Sequence, residues 1–263
     1  MHATEREKAI LDLVEQRGFI AFRDLENQID ASPATLRRDL ERMANGGLLE
    51  RVRGGAKAAP GRNGSAGSPA ELTGVPFHEN VHRHLKQKRA IGKAAAALCD
   101  AGTAIMIDGG STTLQMCRHL EGLDLQVLTN SLYIVSALLP QAGTRILTPG
   151  GSVFREQNII LAPAGDDLMP RFHAPKLFMG AESIGRQGLM QADVVLVAAE
   201  RRLIERADEI IVLVDSSKFQ ASSGNVVCGL ADIGTVITDS GISGEDVAML
   251  KSAGVRAMIA DER

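Results

Sequence analysis

The chain has 263 residues, 44 % of them apolar, with a formal net charge of −3; this fits a small domain joined to a larger one, and excludes a protein that binds nucleic acid through a globally basic surface. No run approaches the roughly 20 apolar residues of a membrane span, and the charged start MHATEREKAI lacks the apolar stretch of a secretory leader. Cys99, Cys117 and Cys228 are odd in number and match no metal-ligand spacing, so reduced thiols, a cytoplasmic location and no metal or other cofactor are expected.

The first expected element is a helix with Ile10, Leu13 and Val14 on one face, stopped by Gly18. A short second helix buries Phe22, Leu25 and Ile29, and a tight turn at Asp30-Ala31 leads to a third. There Ser32 can cap the N-terminus and Pro33 suits the first helical position. Leu36, Leu40 and Met43 follow at i, i+4 and i+7, and Gly46-Gly47 ends the helix. Thr35, Arg38 and Arg42 then project away from the apolar face, with Arg37 on a flank. LLERVRGGAK turns at Gly54-Gly55 and reads as a two-stranded wing.

This is helix-turn-helix geometry, which presents the start of the last helix to a DNA major groove. The expected DNA-facing residues are Ser32, Thr35, Arg37, Arg38 and Arg42, with Arg51, Arg53 and Lys57 of the wing placed to reach phosphates. Residues 32–57 carry six basic residues against three acidic ones, although residues 1–59 balance to zero. The competing reading is a solvated helix face. The turn, the wing and a downstream linker weigh against it.

That linker is AAPGRNGSAGSPAELTGVP, too poor in large apolar residues to offset the ordering of its backbone. It divides the chain into a DNA-binding domain over 1–57, a flexible linker over 58–76 and a larger domain over 77–263. The larger domain opens with a Lys- and Ala-rich helix from His84 to Leu98. The apolar runs TAIMID, LQVLT, TRILT, KLFMG, EIIVLVD, GTVIT and VRAMIA then alternate with helical stretches such as TTLQMCRHL and SLYIVSALL. Such alternation predicts an α/β layer with a mainly parallel sheet.

DGGSTT, Asp108 to Thr113, lies between a strand and a helix. Its backbone N–H groups and three hydroxyls could surround a phosphate. It has neither Walker nor GxGxxG spacing, and alone it is an ordinary connection. LTNS, PGGS and MGAES are expected to end other strands in the same way, with polar groups at a helix start. In a parallel sheet such ends share one rim, where these folds bind ligands.

The residues carry a family resemblance at this point. SPATLRRDLERMANGGLLERVRGGA resembles the S-x-x-T-x-R-R-D-L and G-L-L-x-R-V-x-G-G-A pattern of DeoR-type bacterial transcriptional regulators. It departs at Ala21, where a Ser cap is usual, and at Asp30, where Gly is usual. Downstream, IDGGSTT, LTNS, GGS, MGA and VDSSKF resemble the sensor domain of the same family, which is similar to ribose-5-phosphate isomerase. ILAP and the segment from Leu189 to Glu209 are similar to the branch containing the ascorbate-utilisation repressor, a likeness that leaves the sugar open.

The resemblance implies a phosphorylated sugar as effector, held by Asp108, Gly109, Gly110, Ser111, Thr112 and Thr113, by Thr129, Asn130 and Ser131, by Gly150 and Gly151, by Gly180 and Ala181, and by Glu200 and Lys218. Glu200 stands where the isomerase carries its base. The isomerase motif D-G-A-D-E, however, appears as Met179-Gly180-Ala181-Glu182-Ser183, and residues 183–199 hold no Lys. The pocket is therefore expected to bind rather than convert, because a base without its charged partners does not complete the proton transfer.

His78-Glu79-Asn80-Val81-His82 spells the zinc-protease signature HExxH. From Leu85 to Ile107 neither His nor Glu follows to serve as a third ligand, so a polar lead-in segment is expected. The reading is a DNA-binding repressor of a carbohydrate-catabolism operon, controlled by a sugar phosphate and acting as a homo-oligomer, dimer or tetramer, on double-stranded operator DNA. The alternatives are a sugar-phosphate isomerase with an appended DNA-binding domain, and a module that binds another protein.

Overall fold

The structure is a computed structural model that describes residues 6–7, 9–11, 13–14, 19–29, 31–46, 48–52, 55–58, 77–162, 171–221 and 223–261. The chain forms two compact units, Met1–Pro69 and Ala70–Arg263. The expected stops at Gly18 and Gly47, the turn residues Asp30 and Gly54, Arg53, and the linker beyond Ala58 lie outside the described residues, as does the side chain of Lys57.

In the smaller unit, helical residues within 6–14 (α1) are followed by strand β1 (Phe19–Ala21), helix α2 (Phe22–Gln28), helix α3 (Pro33–Asn45) and strands β2 (Leu49–Val52) and β3 (Gly55–Ala58). Ser32 caps α3 as expected, its hydroxyl accepting the Thr35 N–H at 3.2 Å. Ile10, Val14, Leu25, Ile29, Leu36, Leu40, Met43 and Leu49 form one apolar core. The wing has a third strand that hydropathy did not signal: β1 pairs with β3 from Phe19↔Lys57 to Ala21↔Gly55, giving the order β1-β3-β2. A three-residue strand is too short to show an alternating pattern.

The larger unit begins with a short helix α4 (Phe77–Asn80) and α5 (Leu85–Ala96). Strand β4 (Ala104–Ile107), a 3-10 helix (Thr113–His119), β5 (Gln126–Leu128), α6 (Leu132–Leu138) and β6 (Arg145–Leu147) follow. A hairpin β7 (Ser152–Phe154) and β8 (Ile159–Leu161) precedes β9 (Ala174–Met179), β10 (Ser183–Gly185), β11 (Gly188–Gln191) and α7 (Val194–Ile204). Then come β12 (Ala207–Leu213), a 3-10 turn (Ser216–Phe219), β13 (Asn225–Cys228), β14 (Thr235–Thr238), α8 (Gly244–Ser252) and β15 (Arg256–Ile259).

Seven strands form an all-parallel sheet in the order β15-β14-β12-β9-β4-β5-β6. Its alternation feeds two cores. Ile105, Ile107, Ile211 and Leu213 face the layer of α5, α6 and the first 3-10 helix. Met106, Ile210 and Val212 face the layer that holds Val197 and Leu203 of α7 and Leu250 of α8. Burial on both faces is why these strands read as unbroken apolar runs.

Two expectations about the loops need correction. LTNS does stand at a helix start, with Ser131 capping α6 by accepting the Ile134 N–H. PGGS and MGAES do not: they lead into β7 and β10, and so into strands rather than helices. Gly151 has φ 145, and a Cβ there would lie 2.1 Å from the Leu161 carbonyl oxygen, so its glycine serves the β7–β8 hairpin. After MGAES the chain forms a three-stranded antiparallel sheet, β10-β11-β13, whose Ile184, Leu189 and Val227 close the second core.

One close approach fixes the first loop. A Cβ on Gly92 of α5 would stand 2.6 Å from the Gln115 carbonyl carbon. The 3-10 helix therefore lies directly on α5 and holds the Asp108–Thr112 loop at the sheet's C-terminal rim.

Candidate functional site

In the smaller unit, α3 separates its two faces cleanly. Leu36, Leu40 and Met43 are inside, while Arg37 and Arg38 are exposed. The Arg37 guanidinium sits 5.2 Å from the centre of the Phe22 ring, a cation–π contact that holds it over the start of α2. Arg38 has no partner among the described residues and extends into solvent, as does Arg51 on β2. Thr35 shares a hydroxyl–hydroxyl bond of 2.8 Å with Ser32, which ties both to the cap.

Arg42 differs from its neighbours. Its guanidinium donates to Glu7 of α1 at 2.5 Å and to Asp39 at 2.8 Å. Asp39 is buried and also accepts from Arg6 at 2.6 Å. Arg42 thus belongs to a clamp between α1 and α3, a role that spacing along α3 alone does not reveal.

In the larger unit, the C-terminal ends of β4, β5, β9 and β12 bring Asp108, Asn130, Gly180 and Asp215 to one rim. Asp108 is buried, and burial pushes its carboxyl up to about 6, against hydrogen bonds from Gly109, Asn130 and Gly180 that favour the ionised form. Asn130 Nδ2 donates to its Oδ1 at 3.5 Å. Gly109 and Gly110 allow close packing: a Cβ on Gly109 would lie 2.6 Å from Ile159, and one on Gly110 would lie 3.0 Å from the Thr113 hydroxyl and 3.7 Å from Gly180.

The three hydroxyls of this loop divide. Thr113 is fully buried, accepts the Gly110 N–H at 2.9 Å and donates to the Asp108 carbonyl at 2.8 Å. It braces the loop. The Ser111 and Thr112 hydroxyls make no hydrogen bond among the described residues and remain available. Thr129 and Ser131 are likewise committed, accepting the backbone N–H groups of Ser131 and Ile134. Pro149, beside Gly150, lines a cleft of about 220 Å³ with Asn130, Leu161, Ala199 and Arg202.

Lys218 and Glu200 reach the rim from elsewhere. Lys218 Nζ stands 3.4 Å from Glu182 Oε2, just after Ala181. Glu200 points inward from α7, and the Gln191 amide donates to its Oε1. Burial first, then the charge of Asp108, holds the Glu200 carboxyl well above the usual carboxylate range.

Sequence reasoning missed Lys88, Glu182, Asp215 and Gln191. Lys88 is almost completely buried on α5, yet among the described residues its ammonium donates only to Asn80, through the carbonyl at 2.5 Å and the side-chain oxygen at 3.0 Å. Burial lowers it to about 8, against the attraction of Asp215; Lys218 and Arg83 lower it further. A signal was present, since Lys88 shares the helical face of Ile91 and Ala95. The HExxH residues do not assemble: α4 ends at Asn80, and His78, Glu79 and His82 are exposed.

Residues 6–60 match the DeoR-like helix-turn-helix domain, and residues 83–240, more than half of the chain, match the DeoR C terminal sensor domain. The chain belongs to the DeoR family. It is similar to the HTH-type transcriptional regulator UlaR of Escherichia coli O127:H6, 28% identical over 258 residues that cover 98% of this chain and 99% of that protein. The UlaR of Shigella flexneri serotype 5b is 28% identical over 255 residues, covering 97% and 98%. Among solved structures, ribose 5-phosphate isomerase A from Methanocaldococcus jannaschii is similar over 50% of this chain and 53% of that one, at a TM-score of 0.37 and 18% identity. As a DeoR-family member the chain is a transcriptional regulator with a DNA-binding and a sensor domain.

Proposed function

We propose that the chain represses a carbohydrate-catabolism operon in the cytoplasm and that a sugar phosphate bound at the sheet rim controls it. The observation that carries the DNA half is the division of α3: a sealed apolar face, and an outer face where Arg38 is exposed with no partner among the described residues and Arg37 is steered by Phe22. Arg38 and Arg37 read or grip the groove. Arg51, with Arg53 and Lys57, holds flanking phosphates, and Arg42 keeps α3 in place.

Lys88 supports the effector half. A buried ammonium whose only hydrogen-bond partner among the described residues is a neutral Asn is poised for an anion, with Lys218 and the hydroxyls of Ser111 and Thr112, unbonded among those residues, at the same rim. The sugar would extend toward Asp108, Asn130, Gly180 and Glu200. Catalysis is not expected, since Met179 replaces the isomerase's leading Asp. Half-site reading by one helix-turn-helix gives limited specificity, so the regulator acts as a homo-oligomer, paired through the larger domain. The effector acts by binding one arrangement more tightly than the other.

Fluorescence anisotropy against the gene's own upstream DNA and a scrambled duplex, across a salt series, tests this. Sequence-preferring binding that weakens steeply with salt and is released by a sugar phosphate is the expected result. Equal, salt-insensitive affinity for both duplexes would overturn the DNA reading. Turnover of a pentose phosphate would favour the isomerase alternative.

A further inference from the structure

Four buried side-chain atoms have no hydrogen-bond partner among the described residues: Asn130 Oδ1, Ser183 Oγ, Glu200 Oε2 and Thr238 Oγ1. Buried polar atoms are rarely left so, because each then forfeits the hydrogen bonds it made in water. Two of the four, Asn130 Oδ1 and Glu200 Oε2, belong to side chains coupled to Asp108. Asn130 donates to it, and Glu200 lies close enough to feel its charge.

Glu200 is 3 % exposed, and no cation lies within ion-pair distance of it among the described residues. Gln191 donates to Oε1, so a proton on this carboxyl belongs on Oε2, the oxygen left without a partner. The groups facing it reinforce the neutral form: Asp108 beyond β4 is an acid, and Cys228 on β13 is a thiol that burial keeps protonated. Asn130 meets Asp108 through a long contact of 3.5 Å and also lines the cleft beside Pro149.

We propose that Glu200 is a specificity-determining residue of the effector site, a neutral carboxylic acid whose Oε2–H donates to a hydroxyl of the bound sugar while Asp108 accepts from that hydroxyl. A hydroxyl satisfies both groups at once because it donates and accepts. An anionic group at that end would meet the Asp108 charge at low dielectric. The effector is therefore a phosphorylated sugar whose far end is a neutral polyol, and a phosphorylated sugar acid is discriminated against. This rests on the rim being the effector site.

The test uses the full chain and calorimetry with a panel of pentose and hexose phosphates, a phosphorylated sugar acid, and inorganic phosphate. Glu200→Gln, which keeps a donor, should hold the tightest sugar phosphate within about threefold, whereas Glu200→Leu should weaken it at least roughly tenfold. Neither should change the affinity for inorganic phosphate. Equal losses in both variants, or a sugar acid bound as tightly as the sugar, would overturn the proposal. An infrared difference spectrum of wild type against Glu200→Gln at neutral pH should show a protonated carboxyl band; a carboxylate band overturns the proposal whatever the ligand. If no sugar phosphate binds the wild type while the protonated band is present, the site reading fails and takes the ligand assignment with it.

Discussion

The two units hold their candidate functional groups in opposite ways. In the helix-turn-helix unit the apolar core is inside, and the candidate cations, Arg37, Arg38 and Arg51, stand outside in water. In the sensor unit the candidate groups are themselves buried: Asp108 and Thr112 after β4, Lys88 on α5 and Glu200 on α7 lie within the fold, on segments distant in sequence. Exposed charges reading a polyanion need little shielding, because the long-range field does much of the work. A small polar ligand must instead be recognised by groups withdrawn from water, where each hydrogen bond discriminates strongly and each unmet one is costly.

The strongest way to break this contrast is Gly110→Asp. The new side chain would start 3.0 Å from the Thr113 hydroxyl and add a carboxylate beside Asp108. Effector-driven release should vanish at every concentration tried, with DNA affinity unchanged, as read by anisotropy with and without sugar phosphate. Loss of DNA binding as well would mean that the loop supports the whole fold rather than the ligand. Next is Arg38→Ala, expected to weaken operator binding roughly ten- to hundredfold while effector affinity and thermal midpoint stay put. Unchanged DNA affinity would remove α3 from the interface.

Arg42→Ala sharpens the same comparison from within α3. Because Arg42 bonds Glu7 and the buried Asp39, its loss should lower the thermal midpoint of the smaller unit and reduce DNA affinity only a few-fold. A pure affinity loss, with melting unchanged, would return Arg42 to the DNA-contact set. The distinction matters because both arginines look alike along the helix.

That likeness marks where the sequence stops being informative. Ser32-Pro33, the spacing of Leu36, Leu40 and Met43, and the turn-forming DGGSTT are local patterns, and each produced the element its pattern implies. The Arg6–Asp39 bond closes over 33 positions, so only the packing of α1 on α3 reveals the clamp. Lys88 reads as one more lysine of a solvated helix unless its register with Ile91 and Ala95 is weighed. Glu200 shares a face with Val197 and Leu203 in the same way. The antiparallel sheet was masked because Gly180 and Ala181 invited a ligand reading, while Gly185 and Gly188 three residues apart carried the hairpin signal. A charged residue in register with a helix's apolar positions is thus a better pointer to a buried site than a glycine-rich turn.

Lys88 offers the most diagnostic effect, because its titration moves binding and stability in opposite directions. In the folded chain it loses its proton near pH 8, whereas an unfolded lysine keeps it to about 10.5. Between those values the unfolded chain binds more protons, so through this group the stability of the sensor unit rises with pH. Over the same interval the rim loses a cation, and the affinity for a sugar phosphate should fall by roughly tenfold. Urea titrations and calorimetry at pH 7.5 and 9.5, on wild type and Lys88→Met, separate the two. The variant should bind weakly at both pH values and lose that part of the stability gain. If wild-type affinity holds steady across the interval, Lys88 does not touch the anion, and the buried ammonium serves only to tie α5 to Asn80.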